Sequence, residues 1–336
     1  MPKSLIIAEA GVNHNGSLDL AFQLIDAAKS AGADAVKFQT FRADALAARS
    51  AHKAAYQGRT TSRDESQLEM LRRLELDETA HRRLIAYCES VDIRFLSSPF
   101  DHESVDLLAA MNLPIFKVPS GEITNHPFLR HVASKSKPII LSTGMCTLDE
   151  VKEAVGVLRG AGASDLTVLH CVTEYPTPYG QVNLRAMLTL KEALGLPVGY
   201  SDHTPGIEIP VAAVALGAVV IEKHFTLDRS LPGPDHAASL EPDKLAQMVT
   251  SIRHVEESLG DGVKAPAPCE IPNISVARKS VVAARAMSAG HTLQESDLAI
   301  KRPGNGLAPK TLPDLVGRTL RVAIGEDELV RWDQLA

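Results

Sequence analysis

Cysteine is scarce. The 336 residues contain four, Cys88, Cys146, Cys171 and Cys269, widely spaced and without a CxxC pair. This excludes a disulfide framework and a zinc knuckle, and points to a reducing cytosol. Aromatics make up only 4% of the chain, with one tryptophan, so the core must be aliphatic. No apolar run is long enough to span a bilayer, and no basic region followed by an apolar signal core precedes the first apolar run. The formal net charge is −6, with acids and bases mixed along the chain. Without a basic stripe, neither nucleic acid nor a membrane is an expected partner, and affinity for anions must come from local groups.

Against these absences stand eight short apolar runs: Leu5–Gly11, Ala35–Thr40, Ile93–Pro99, Ile115–Ser120, Pro138–Gly144, Leu166–Tyr175, Pro197–Thr204 and Val219–Thr226. Each ends in polar or charged residues. Buried parallel strands read as near-continuous Val, Ile and Leu. Amphipathic segments separate the runs: Ser17–Gly32, Asp77–Ser90, Glu103–Met111, Leu148–Gly160, Leu184–Leu194, Ile207–Gly217 and Pro242–Leu259. The alternation implies right-handed βαβ units. A doubly wound open sheet competes, but eight units with polar residues at every strand end favour a TIM barrel, an α/β fold with its active site at those ends.

The polar, Ala-rich stretch Phe41–Glu65 is long for a loop and reads as a substrate-covering segment. Around Gly260–Ile274 the composition turns to Gly, Pro and charge, a linker signature. The expected organisation is a barrel over 1–260, a linker over 261–277 and a small, mostly β domain over 278–336, with β-type runs at Ser280–Ala284 and Thr319–Ile324.

The strand ends carry the candidate chemistry. Ser201 and His203 in GYSDHT are two residues apart and share a face, as do Glu222 and His224 in VIEKHFT. Adjacent strands would set His203 and His224 side by side, suiting a divalent transition metal such as Mn²⁺ or Zn²⁺; alternatively one histidine merely packs. Lys37 with Gln39, Lys117 with Ser120 and Gly121, Ser142–Gly144 and Ser201 offer two cations, hydroxyls and backbone N–H groups for phosphate and carboxylate. A salt bridge or a Schiff-base lysine are the other readings. Glu9 could act as an acid or base, pair with Lys37, or both. Asn13, His14 and Asn15 in GVNHNG either line the pocket or stabilise the turn. Asp235 could bind sugar hydroxyls or cap a turn. Asp202 and Lys223 alternate with the inward set and read as structural.

LIIAEAGVNHNGSLDLA, GADAVKFQTF, FKVPSGE, PIILSTGM, HCVTEYPTPY, GYSDHT, IEKHFT and PGPDHAASLEP occur in this order. With the C-terminal KRPGNG they closely resemble the sialic acid synthase family, which includes N-acetylneuraminate, legionaminate and pseudaminate synthases. The resemblance covers nearly the whole chain. It implies a TIM barrel joined to a small antifreeze-like (SAF) domain in a domain-swapped cytoplasmic homodimer. It further implies condensation of phosphoenolpyruvate with an open-chain, N-acylated mannosamine-type sugar, giving a nine-carbon 2-keto acid and phosphate.

Carried over by residue, the resemblance makes His203 and His224 ligands of a divalent metal, Mn²⁺ foremost, with Mg²⁺ or Co²⁺ as alternatives. Lys37, Ser98, Lys117, Ser120, Ser142, Thr173 and Ser201 match the phosphoenolpyruvate-binding set. Glu9 matches the essential acid/base carboxylate, and Glu222 a glutamate near the metal-bound water. Gln39, Tyr175 and Asp235 match sugar contacts, and Arg302 an arginine that reaches the partner subunit's sugar site. Two departures bear on the sugar. Thr173 stands where some N-acetylneuraminate synthases have Asn, and the Ser62–Asp64 region lacks their sugar-contacting Asn. TEYP followed by VNL, with GYSDHT and GPDHAASLEP, looks more like the legionaminate branch; the pseudaminate branch differs after GPD. Rival readings are a related condensing enzyme making a seven- or eight-carbon keto acid, a Schiff-base aldolase using Lys117, and a non-catalytic sugar-binding protein.

Overall fold

The computed structural model describes residues 3–54, 57–61 and 65–336; Ser62–Asp64 lies outside them. Two compact units divide after Gly260.

The first unit is built on β1 (Leu5–Gly11), β2 (Ala35–Thr40), β3 (Arg94–Pro99), β4 (Phe116–Val118), β5 (Ile139–Ser142), β6 (Leu166–Cys171), β7 (Val198–Asp202) and β8 (Val220–His224). All paired neighbours are parallel, in the order β3-β2-β1-β8-β7-β6-β5-β4. β3 and β4, the two ends of that order, lie side by side, so the sheet closes into a barrel. Several strands are shorter than the apolar runs that announced them. In β4 the cause is Pro119, which offers no N–H to the ladder, so Ser120 falls in a 3₁₀ turn beyond the strand.

Helices surround the barrel: α1 (Leu18–Ser30), α2 (Ala43–Leu46), α3 (Gln57–Thr60), α4 (Gln67–Leu74), α5 (Glu78–Ser90), α6 (His102–Ala110), α7 (His126–Ala133), α8 (Leu148–Gly160), α9 (Ala186–Leu194), α10 (Glu208–Ala215) and α11 (Pro242–Ser258). Caps start them where the sequence signals it. Ser17 accepts from the N–H of Leu20, Asp77 from Ala80, and Thr147 with Glu150 forms a capping box. α4 and α7 were not foreseen. α4 opens on the capping box of Ser66 and Glu69, and α7 on Asn125 followed by Pro127, both legible in hindsight. The Phe41–Glu65 stretch, expected as loop, contains α2 and α3.

The barrel interior shows why the strands alternate as they do. Ile7, Ala35, Leu96, Ile140, Leu169 and Val220 form a dry inner cluster, and the outward residues join the larger core beneath the helices. Gly199 is required at its inner position, because a Cβ there would lie 2.6 Å from Leu169 Cδ2 and 2.4 Å from the Val220 carbonyl oxygen.

In the second unit, α12 (Ile271–Ala277) occupies part of the stretch expected as linker. β9 (Ser280–Ala283) pairs antiparallel with β10 (Leu298–Lys301) over a core of Val281, Ala283, Met287, Leu293, Leu298 and Leu320. A short helix, α13 (Leu312–Leu315), packs there too. The run Thr319–Ile324 makes isolated bridges to three separate partners, Thr292, Leu335 and Met287, in place of the expected strand.

Candidate active site

Two residues beyond the dry cluster, every barrel strand turns an unlike side chain inward. Glu9 follows Ile7, Lys37 follows Ala35, Ser98 follows Leu96, Ser142 follows Ile140, Cys171 follows Leu169 and Glu222 follows Val220. Lys117 and Ser201 complete the layer. All of these are buried, and all line one cavity of about 400 Å³ at the C-terminal end of the barrel. The period-two geometry of strands makes this layer contiguous.

Its centre is a charge quartet. Lys37 Nζ lies 2.7 Å from Glu9 and 3.7 Å from Glu222, and donates to Ser98 Oγ at 3.0 Å. Lys117 Nζ lies 3.1 Å from Glu222, which also accepts from Ser201 Oγ at 3.2 Å. Gln39 donates to Glu9 at 3.3 Å. The two carboxyl groups diverge. Burial, reinforced by Glu222 and only partly offset by Lys37, lifts Glu9 to about 7. At Glu222 burial is outweighed by Lys117 and Lys37, which hold it near 2. Glu222 and Glu9 together outweigh the burial of Lys37 and keep its ammonium charged. Two titratable groups pushed apart in this way divide the labour between a proton carrier and a fixed charge.

Gly11, at φ +51°, sits where a Cβ would come 3.3 Å from Glu9 Oε1 and 3.6 Å from His224 Cε1. At Gly144 a Cβ would lie 2.2 Å from Thr173 Oγ1, and its backbone N–H donates to Ser120 Oγ at 2.8 Å. Both glycines thus admit side chains to the cavity wall.

His203 and His224 lie with ring centroids 5.4 Å apart, and Tyr175 covers His203 at 4.1 Å. His203 Nδ1 donates to the Val172 carbonyl at 2.6 Å, so Nε2 is the nitrogen left for a ligand; Cys171 Sγ lies 3.8 Å from Nδ1. Burial, then the nearby His203 and Lys37, push His224 well below the ordinary imidazole range, so it is neutral. At His203 burial is outweighed by the neighbouring Cys171, the Val172 carbonyl and Asp202, which raise it. Asp235 Oδ2 lies 3.9 Å from His224 Nδ1, and burial raises its carboxyl to about 6. Two imidazoles side by side in a carboxylate-lined pocket fit a divalent cation, which would displace any proton on His203 Nε2. Among the described residues no group of three His, Cys, Asp or Glu side chains encloses one. The protein would therefore supply two donors and leave the other positions to water or substrate oxygens, as open sites do.

Leu46, Ala47, Ala51 and Gln57, in or near α2 and α3, and Gln67, Met70, Leu71 and Leu74 of α4 form the remaining wall, which is largely apolar. The covering segment expected at Phe41–Glu65 thus borders the cavity, and α4 extends it. Of the residues to which the family resemblance gave a role, all except Arg302 line the cavity. Arg302 lies in the second unit, exposed, with Nε donating to the Ala277 carbonyl at 3.2 Å. Asn13, His14 and Asn15 are not in the wall. Cys171 and the apolar residues of α4 were missed. The alternation Leu169–Cys171–Thr173 would have flagged Cys171.

A parallel barrel with a buried ionic layer and a histidine pair at its C-terminal mouth defines a barrel enzyme. The NeuB family description matches residues 24–264, and a SAF domain matches residues 278–336. The chain belongs to the NeuB family. It is 53% identical to an N,N'-diacetyllegionaminic acid synthase of Campylobacter jejuni, over 98% of this chain and 100% of that one. It is 47% identical to a second, from Legionella pneumophila, over 98% and 94%. The crystal structure of an N-acetylneuraminic acid synthetase from Leptospira borgpetersenii superimposes with a TM-score of 0.71 at 35% identity, covering 81% of this chain and 90% of that one.

Proposed function

We propose that the protein condenses phosphoenolpyruvate with 2,4-diacetamido-2,4,6-trideoxymannose, releasing phosphate and forming N,N'-diacetyllegionaminate. The observation that carries this reading is the buried quartet of Glu9, Lys37, Glu222 and Lys117 beside a histidine pair in one cavity. Lys37 and Lys117 take the phosphate and carboxylate of phosphoenolpyruvate, helped by Ser98, Ser120, Ser142, Thr173 and Ser201. Gln39, Tyr175 and Asp235 take the sugar, and the apolar wall suits its acetyl methyls and deoxy carbon. Similarity to two legionaminate-type synthases favours this sugar over N-acetylmannosamine, which remains the second acceptor to test because the Leptospira borgpetersenii enzyme is an N-acetylneuraminate synthetase.

Carbon 3 of phosphoenolpyruvate attacks the open-chain aldehyde carbon, and the aldehyde oxygen takes the proton carried by Glu9 to become a hydroxyl. Positive charge develops at carbon 2, next to the carboxylate of Glu222. Water adds there and gives up a proton, for which Glu9, poised near neutrality, is the acceptor. The C–O bond to phosphate then breaks as the carbon 2 hydroxyl passes its proton to the leaving phosphate, and the keto group remains. A divalent cation held by His203 and His224, Mn²⁺ in our reading, supplies Lewis-acid polarisation of the aldehyde when bound. The remaining share is positioning and fixed charge. We further read the enzyme as a cytoplasmic, domain-swapped homodimer, with Arg302 of the partner subunit completing the sugar site.

The test is phosphate release by metal-depleted enzyme with Mn²⁺ added back, phosphoenolpyruvate, and each sugar in parallel, with product mass followed. Metal-dependent release with a nine-carbon acid, faster on the diacetamido sugar, is expected. Faster turnover of N-acetylmannosamine would move the protein to the neuraminate branch. No release with either would remove the synthase reading.

A further inference from the structure

The turn after β1 carries two asparagines and a histidine, none of which faces the cavity. Asn13 is buried, and its Nδ2 spends both hydrogens on the opposite loop: one to the Phe225 carbonyl at 2.8 Å, one to Ser239 Oγ at 3.0 Å. Because an amide nitrogen only donates, the hydroxyl of Ser239 must accept. Its own proton then goes to the Asp235 carbonyl at 2.7 Å. The direction of the chain Asn13 to Ser239 to Asp235 is thereby fixed, and bonds in series reinforce one another in a dry surrounding. The other end is anchored to the reaction centre: Phe225 follows His224, and its N–H donates to the Glu9 carbonyl at 3.0 Å. Asn15 adds a second tie, from Nδ2 to the Pro232 carbonyl at 2.8 Å.

Asp235 depends on these ties. Its carbonyl also accepts from the Ala238 N–H at 3.2 Å. Among the described residues, however, nothing donates to its carboxylate within hydrogen-bond distance; His224 Nδ1 is 3.9 Å away. The side chain is aimed by where its backbone is held.

We propose that Asn13 and Ser239 are positioning residues that set Asp235 for the acceptor sugar and tie its placement to the strand ends bearing Glu9 and His224. The proposal rests on the sugar-contacting role read above for Asp235. The relay acts on one substrate only, since the phosphoenolpyruvate set sits on other strands.

The experiment uses full-length, Mn²⁺-loaded enzyme and compares Ser239→Ala, Asn13→Leu, Asp235→Ala and the Ser239→Ala/Asp235→Ala double variant. Ser239→Ala should raise KM for the sugar about fivefold, the worth of one neutral hydrogen bond, with KM for phosphoenolpyruvate unchanged. Asn13→Leu, which loses both donors at similar volume, should raise it further. In the Asp235→Ala background, Ser239→Ala should add nothing. Equal rises in both KM values, a lowered Tm with both KM values intact, or a full additive effect on top of Asp235→Ala would overturn the relay. If Asp235→Ala itself leaves the sugar KM unchanged, the sugar contact falls. If wild-type enzyme turns over neither sugar, the functional reading falls, and the relay with it in both cases.

Discussion

β7 and β8 hold two buried polar groups one residue apart in register, and the two are built to opposite ends. Facing outward, Asp202 and Lys223 lie 2.5 Å apart with no solvent exposure of either side chain. Asp202 also accepts from the N–H and hydroxyl of Thr204, and Lys223 donates to the Thr204 carbonyl. Every charge has its partners and the group is closed. Facing inward, Glu222 accepts from Ser201, pairs with Lys117 at 3.1 Å and with Lys37 at 3.7 Å, and borders a cavity. A closed pair holds a loop, here the turn leading to His203 and Thr204. An open one leaves ligand-binding capacity unspent. Burial alone does not separate structure from function; completeness of the hydrogen bonding does.

The contrast can be broken from either side. Glu9→Gln should cost the largest factor, about 10²–10⁴ in turnover, because it removes the carboxyl of the inner ionic layer that burial lifts to about 7; phosphate release with both substrates saturating measures it, and the fold should persist. Asp202→Asn should instead cost about 3–5 kcal/mol of stability by leaving the Lys223 charge without its counterion. Urea unfolding reads that loss, while turnover per folded molecule should be kept.

A smaller, pH-dependent effect follows from the raised Glu9. Between its ordinary 4.5 and about 7 the folded protein keeps a proton that the unfolded chain has lost. Stability therefore falls as pH rises through that window. Glu9→Gln lacks the effect, so the wild-type stability curve should decline relative to the variant's from pH 4.5 to 7. Asp235, also raised, acts with the same sign in both proteins and cancels. Parallel curves would mean that Glu9 is ionised throughout. Smallest is Ser98→Ala, which removes one hydroxyl from Lys37 and should raise KM for phosphoenolpyruvate about fivefold, leaving the sugar KM alone.

Much of this was readable from the chain, for reasons specific to the fold. Parallel strands buried on both faces announce themselves as apolar runs, and β1 and β2 fall on the expected bounds, Leu5–Gly11 and Ala35–Thr40. Alternation then separated Glu222 and His224 from Lys223, and Ser201 and His203 from Asp202. What escaped lies where long-range contacts decide. Nothing local in QLEMLRRL says that Met70, Leu71 and Leu74 form a cavity wall, although its capping box marks a helix start. The role of Asn13 depends on a partner at Ser239, far along the chain, which only the closed barrel brings near. In the second unit, Thr319–Ile324 has strand composition, but it makes only isolated bridges, with Met287, Thr292 and Leu335.

The most direct test of the inside–outside division compares Glu222→Gln with Asp202→Asn for Tm and for phosphate release per folded molecule. The account predicts that Glu222→Gln loses turnover per folded molecule, beyond any loss of Tm from unpairing the lysines, while Asp202→Asn loses Tm and keeps turnover. An active Glu222→Gln, or an inactive Asp202→Asn of undiminished stability, would contradict it.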